Sequence, residues 1–334
     1  MIPRRGGEKT MIVAEIGNNH EGNFDLACLL VDLAAECGAD AVKFQTCRAD
    51  RFISPADQER LARFRSYEFS RDQWQALARR AAAAGAGFMS TPLDVDSVTM
   101  LEPLVGAFKV ASGDITFLPL IDRVAATGKP IVLSTGASTL DEIRRAVSLC
   151  RARWAVDGHR PDLAVLHCVS AYPVPIAQAN LSAIPRLLSE LDVVVGYSDH
   201  VIGIEAAVAS VALGARIVEK HFTIDKNHSA FRDHQLSADP ADFRDLVRRI
   251  RDLELMLGGG AKDVQPAEQP NLTAIRRSIV AARDLPAEHR VEPADLLWLR
   301  PATGLPPGEE PRLIGHRLRT PVRFGDPLTP EQVD

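Results

Sequence analysis

The sequence predicts an α/β fold: a (β/α)8 TIM barrel followed by a small, mostly-β module. Short apolar runs recur along the first 258 residues, and each is followed by an amphipathic, helix-like stretch. The runs are rich in Val, Ile and Phe and show little alternation, as expected of strands covered on both faces in a parallel sheet. Eight such pairs in about 250 residues match the size of a closed barrel. A doubly wound open sheet is the competing architecture, but its glycine-rich turn after the first strand is missing.

In chain order the strand-like runs are MIVAEIG (11–17), DAVKFQT (40–46), GFMST (87–91), AFKVAS (107–112), PIVLST (130–135), LAVLHCV (163–169), VVVGYSD (193–199) and RIVEKHF (216–222). Helix-like stretches occupy 24–38, 72–85, 140–154 and 240–258. Gly38 and Gly85 stand where helix C-caps belong, and Asp25, Asp72 and Ser138 mark expected N-termini. Trp74 falls on the packing side of its helix pattern. The barrel is therefore assigned to residues 10–258. Residues 259–270, beginning GG-AKDVQPAEQP, form a Gly- and Pro-containing linker. Residues 271–334 hold short apolar runs among several Pro and Gly, the pattern of a compact β module too small to be robust alone.

Composition narrows the function. Of 334 residues, 46% are hydrophobic and 25% charged, which excludes disordered, collagenous and disulfide-scaffold proteins. With 39 basic and 44 acidic residues the net charge is -5, and no basic run marks a nucleic-acid or membrane partner. Cysteines 28, 37, 47, 150 and 168 are odd in number and contain no C-x-x-C pair, so they read as free thiols of a cytoplasmic protein. The N-terminus shows no segment suited to export or membrane spanning.

The chemical signal is positional. Polar residues stand near the C-terminal end of every strand: Glu15; Lys43 and Gln45; Ser90 and Thr91; Lys109 and Ser112; Ser134 and Thr135; His167 and Ser170; Asp199 and His200; Glu219 and His221. Barrel enzymes build their active sites there, so these residues point to one polar cup. His200 and His221 end adjacent strands about 4.8 Å apart. They either share a divalent metal or are two unconnected histidines. Asp199, Glu219 and Asp233 are candidate ligands, supports of the ligands or contacts to substrate hydroxyls. Lys43 and Lys109, with neighbouring hydroxyls, suit a phosphorylated or carboxylated substrate. The alternatives are a buried lysine–glutamate pair, for example with Glu15, and a Schiff-base lysine. His20, His159, His228 and His316 read as surface residues.

The motifs AEIGNNHEGN, GADAVKFQT, FMSTPLD, KVASGD, IVLSTGAS, LHCVSAYPVP, GYSDH and EKHFT, taken in order, resemble the sialic acid (N-acetylneuraminate) synthase family, including legionaminate and pseudaminate synthases. The tail from RRSIVAARDL to TPEQV resembles that family's C-terminal SAF (antifreeze-like) domain. The resemblance implies a metal-dependent condensation of phosphoenolpyruvate with an open-chain amino-sugar aldehyde. The product is a 2-keto-3-deoxy acid, with phosphate released by C–O cleavage. It implies that Lys43, Thr91, Lys109, Ser112 and Ser134 hold phosphoenolpyruvate, and that His200 and His221 bind Mn2+ or Mg2+. Glu15 and Asp233 would contact sugar hydroxyls or move protons, Gln45 and Ser170 would contact substrate, and Tyr172 would line the acyl-amino pocket. Arg300 would reach the barrel of a partner subunit, making the active homodimer domain-swapped in effect. Two departures bear on the acceptor. Ser170 stands where N-acetylneuraminate synthases commonly carry Asn, as in enzymes for modified bacterial nonulosonates. Phe231–Arg232 precede Asp233–His234 where the family usually has GPDH, and the extra arginine points to a more polar or anionic sugar. The alternatives are a Schiff-base aldolase and a non-catalytic sugar-binding relative.

Overall fold

A computed structural model describes residues 2–3 and 9–334. Eight parallel strands close into a barrel in sequence order: β1 (Met11–Gly17), β2 (Ala41–Thr46), β3 (Gly87–Pro92), β4 (Ala107–Val110), β5 (Ile131–Ser134), β6 (Leu163–Cys168), β7 (Val194–Asp199) and β8 (Ile217–His221). Each lies within two residues of its expected boundaries at the start and the end. Two apolar clusters explain why the runs lack alternation. Ile12, Ala14, Phe44, Phe108, Leu133, Val165 and Val195 face the helices. Met11, Val13, Ala41, Met89, Val132, Leu166 and Ile217 fill the barrel interior. At Gly196 a Cβ would lie 2.4 Å from the Ile217 carbonyl oxygen, so only glycine lets β7 and β8 approach there.

The expected helices are present at Phe24–Glu36, Arg71–Ala83, Leu140–Asp157 and Pro240–Leu257. Their N-caps lie within two residues of the marked N-termini. Asn23, Ser70 and Thr139 cap the first three, whereas Asp25 and Asp72 sit in the first turn and favour the positive end of the helix dipole. Gly38 and Gly85 do lie just past helix ends, with φ of 90° and 79°. Trp74 is buried, 5.6 Å from Phe44 and 5.2 Å from Phe69 between ring centroids. The excursion after β2 contains a helix that the sequence pattern did not announce, Gln58–Tyr67. Its composition is strongly polar and it buries only Leu61.

A second compact unit spans Gly259–Asp334. Within it β9 (Ser278–Ala281) pairs antiparallel with β10 (Leu296–Leu299), over a core of Ile279, Leu285, Val291, Leu313, Leu318, Val322 and Leu328. Asp295 ties this unit together, accepting from Arg283 at 2.7 Å, His289 at 2.7 Å and the Glu292 amide at 3.0 Å. All five cysteines are free. Among the described residues no helix is long and apolar enough to cross a membrane.

Candidate active site

Side chains alternate between the two faces of a strand, so strand register decides which polar residues enter the cup. The apolar interior layer fixes the parity: Met11 and Val13 point inward, and so does Glu15. The same alternation brings in Lys43 and Gln45 above Ala41, Thr91 above Met89, Lys109 above Ala107 and Ser134 above Val132. On β7 and β8 it brings in Ser198, Glu219 and His221. Barrel closure sets Glu15 opposite Lys43 on one side and opposite His221 on the other.

Ser90, Thr135, His167 and Asp199 have the other parity and leave the expected cup. The Ser90 hydroxyl lies 2.7 Å from that of Thr46, and Thr135 donates to the Leu166 carbonyl. His167 bonds the Ala179 carbonyl at 2.9 Å and stacks on Tyr197. Asp199 is fully buried against Lys220 at 2.9 Å and accepts from the Tyr197 hydroxyl. It is therefore a structural ion pair and no ligand of the cup. His20 also departs from expectation: it is buried, with its ring 4.6 Å from Phe69, and burial lowers its pKa to about 4.

The floor of the cup is a buried cluster of four charges. Lys43 Nζ lies 2.6 Å from Glu15 and 3.7 Å from Glu219, and it reaches the Thr91 hydroxyl at 3.4 Å. Burial opposes its charge, but the two glutamates outweigh it and raise the lysine's pKa. Gln45 donates to Glu15 at 3.1 Å and accepts from Asn18. Burial raises the pKa of Glu15 despite the pull of Lys43. In Glu219 burial is outweighed by Lys109 and Lys43, and the Ser198 hydroxyl donates to it at 2.9 Å.

Lys109 stands apart. It is equally buried, its one hydrogen bond is to the Val110 carbonyl at 3.1 Å, and among the described residues no carboxylate lies within ion-pair distance. Burial accordingly lowers its pKa. Nearby, the buried Ser134 hydroxyl has no partner. Ser112 accepts from the Gly136 amide at 3.0 Å, and a Cβ on Gly136 would fall 2.2 Å from the Ser170 hydroxyl. Gly136 therefore lets Ser112 and Ser170 converge, a role that its place in the IVLSTGAS motif does not reveal by itself.

His200 and His221 lie side by side with ring centroids 5.3 Å apart, and Tyr172 packs 4.2 Å over His200. His200 Nδ1 meets the Val169 carbonyl at 2.9 Å; a carbonyl only accepts, so Nδ1 carries the proton and the Nε2 lone pair remains available. His221 Nδ1 is buried without a partner. Burial, reinforced by the charges of Lys43, Lys220 and Arg232, keeps that ring neutral. These features fit a divalent ion. Among the described residues no set of three His, Cys, Asp or Glu side chains is arranged to hold a metal, so such an ion would take two protein ligands and oxygens from water or substrate.

Above this floor opens a cavity of about 880 Å³. His221, Gln45, Asn18 and Tyr172 line its inner side; Asp233 and Phe231 come from the segment after β8; Phe52, Phe64, Tyr67, Arg60 and Arg63 come from the excursion after β2. Arg232 lies 4.8 Å over the Tyr172 ring and 3.2 Å from Asp233. Burial raises the pKa of Asp233. Arg300 is exposed and belongs to the second compact unit, just after β10.

Comparison with known proteins agrees with this architecture. Residues 30–262 match the NeuB family and residues 276–334 match the SAF domain. The chain is 36% identical to the N,N'-diacetyllegionaminic acid synthase of Legionella pneumophila, covering 99% of this chain and 97% of that protein. It is 33% identical to the N-acetylneuraminate-9-phosphate synthase of Homo sapiens, covering 98% and 94%. Among solved structures, the N-acetylneuraminic acid (sialic acid) synthetase of Leptospira borgpetersenii superposes with a TM-score of 0.74 at 34% identity, over 79% of this chain and 91% of that one. The chain belongs to the NeuB family of sialic-type acid synthases, phosphoenolpyruvate-condensing enzymes, and carries a SAF domain at its C-terminal end.

Proposed function

We propose that this enzyme condenses phosphoenolpyruvate with an open-chain amino-sugar aldehyde, using a divalent metal, to give a 2-keto-3-deoxy acid and phosphate. The observation that carries the donor site is Lys109, a buried ammonium with no carboxylate partner, beside the unpartnered Ser134 hydroxyl. A buried cation left in this state is stabilised by an arriving anion. The donor's phosphate and carboxylate would lie across Lys109, Ser112, Ser134 and Thr91, with Lys43 adding charge from the Glu15 side.

In the reaction, C3 of phosphoenolpyruvate bonds to the aldehyde carbon of the acceptor. Water adds to C2, and the C2–O bond to phosphate breaks. One water proton ends on the aldehyde oxygen, and the other leaves with phosphate as the C2 hydroxyl collapses to the ketone. Glu15 and Asp233, both raised by burial, are the groups able to hold and move these protons. Gln45 orients Glu15, and Ser170 and Tyr172 border the acceptor's acyl-amino group. His200 and His221 would hold Mn2+ or Mg2+, which when bound supplies Lewis acidity at the acceptor's carbonyl oxygen.

Phosphate release should require donor, acceptor and metal together, and product mass should show three carbons added to the acceptor. Release unaffected by a strong chelator would remove the metal from this reading. The lowered pKa of Lys109 favours one competing chemistry, a Schiff-base aldolase. Borohydride trapping of a pyruvate adduct on Lys109 or Lys43 would establish that chemistry instead.

Arg300 is proposed to complete the site of a partner subunit within a homodimer. Mixing Arg300→Ala subunits with His200→Ala subunits should restore activity in mixed dimers, each of which would contain one intact site. Activity at background in verified mixed dimers would place the arginine outside the partner's site. The five free thiols suit a reducing, cytoplasmic setting.

A further inference from the structure

We propose that the buried ion pair Asp199–Lys220 is a positioning device, which fixes the rings of His200 and His221 side by side for a shared divalent ion. The inference rests on the reading of these two histidines as the metal's ligands.

Each member of the pair directly precedes one of the histidines in the chain. Asp199 and Lys220 are also the last residues at which β7 and β8 pair, and they stand opposite each other there. Both lie on the helix-facing side of the barrel with Tyr197 and Val218, so the next residue of β8, His221, turns into the cup. His200 lies one residue beyond the end of β7, outside the paired stretch.

Lys220 takes over the task of the missing ladder. Its Nζ donates to Asp199 Oδ2 at 2.9 Å and to the Val201 carbonyl. Asp199 Oδ1 accepts from the Val201 amide at 2.9 Å and from the Tyr197 hydroxyl at 3.1 Å. The residues on both sides of His200 are thus tied to the residue before His221. The His200 carbonyl accepts from the Val174 amide at 3.0 Å, and its Nδ1 meets the Val169 carbonyl, which completes the hold on the ring.

Stability does not account for the pair. Neither side chain reaches solvent, and the cost of taking two charges out of water offsets their attraction, so two well-packed apolar side chains would serve the fold as well. Apolar side chains lack direction, however, and cannot bind the amide and the carbonyl of Val201 at once. A group that orients a metal ligand without touching the ion is worth about 10- to 100-fold in metal affinity.

The test compares wild type with Asp199→Asn/Lys220→Met. Asparagine keeps an acceptor for Val201 and Tyr197, methionine fills the volume of the lysine stem, and no lone charge is left buried. Mn2+ binding is followed by electron paramagnetic resonance without substrates. The Kd for Mn2+ should rise about 10- to 100-fold, while the thermal midpoint of the metal-free protein stays within about 5 °C. At fixed Mn2+ kcat should fall, with KM for phosphoenolpyruvate within about 3-fold, because the donor is held from β2 to β5. Where the double variant does not fold, Asp199→Asn alone, which replaces one oxygen by an amide nitrogen, carries the same test. Unchanged Mn2+ affinity in the folded variant overturns the inference and leaves the metal site standing. If wild type and His221→Ala take up Mn2+ equally, the metal reading fails, and the 15N signals of the histidine rings in metal-free protein decide the placement alone. His200 fixed with its proton on Nδ1 in wild type, and exchanging between tautomers in the variant, supports it; the same signals in both overturn it.

Discussion

Substituting His221 by alanine is expected to lower turnover by about 10³-fold, equivalent to ~4 kcal/mol of transition-state stabilisation. The same substitution should weaken Mn2+ binding, followed by electron paramagnetic resonance without substrates. Two features separate this outcome from a folding defect. His221 Nδ1 has no hydrogen-bond partner to lose, and its ring is held neutral by burial and by the cations around it. Thermal stability without metal should therefore change little, while stabilisation by added Mn2+ disappears. A variant that keeps both turnover and manganese affinity would show that the paired histidines do not form a metal site.

The second large effect is expected at the two lysines, and the cost in stability differs between them. Lys109→Met should lower kcat/KM for phosphoenolpyruvate by about 10³-fold, since the buried cation that receives the donor is gone. It should cost the unliganded fold much less than loss of Lys43 does, because Lys109 has no carboxylate within ion-pair distance and feels Glu219 only at longer range. Lys43→Met removes activity as well, but it leaves Glu15 and Glu219 buried without the ammonium they share, so a loss of about 3–5 kcal/mol is expected. Denaturant titration of both variants in the absence of ligand reads this contrast. Equal destabilisation by the two substitutions would mean that Lys109 has a structural partner after all.

The strands and the position of the cup were legible because a parallel barrel imposes two strong patterns: apolar runs of four to seven residues, and polar residues at their C-terminal ends. Parity within those ends was less visible. With both strand faces buried, an apolar run hides its alternation, and the inward Lys109 and outward Asp199 look alike from the sequence. The small interior layer of Met11, Val13, Ala41 and Met89 resolves it once the barrel is closed. The helix Gln58–Tyr67 is hidden in the sequence for a different reason. It buries a single leucine, so it lacks the apolar stripe by which a helix is recognised. The burial of His20 is not legible because a polar neighbourhood in sequence, Asn18 to Asn23, folds over Phe44, Phe69 and Tyr67 in space.

By itself the sequence determined the barrel, the small β unit after it, and the chemical kinds of residue available to the cup, since these follow from local periodicity and composition. Only the tertiary structure decided how the charges pair. Closure of β8 onto β1 brings His221 beside Glu15, and Glu219 within reach of a lysine 176 positions earlier, Lys43. It leaves Lys109 without a described carboxylate in ion-pair contact and gathers Arg60 and Arg63 over the same opening. The energies of buried charges depend on distances of a few ångströms between strands far apart in the chain, and no local pattern encodes those distances.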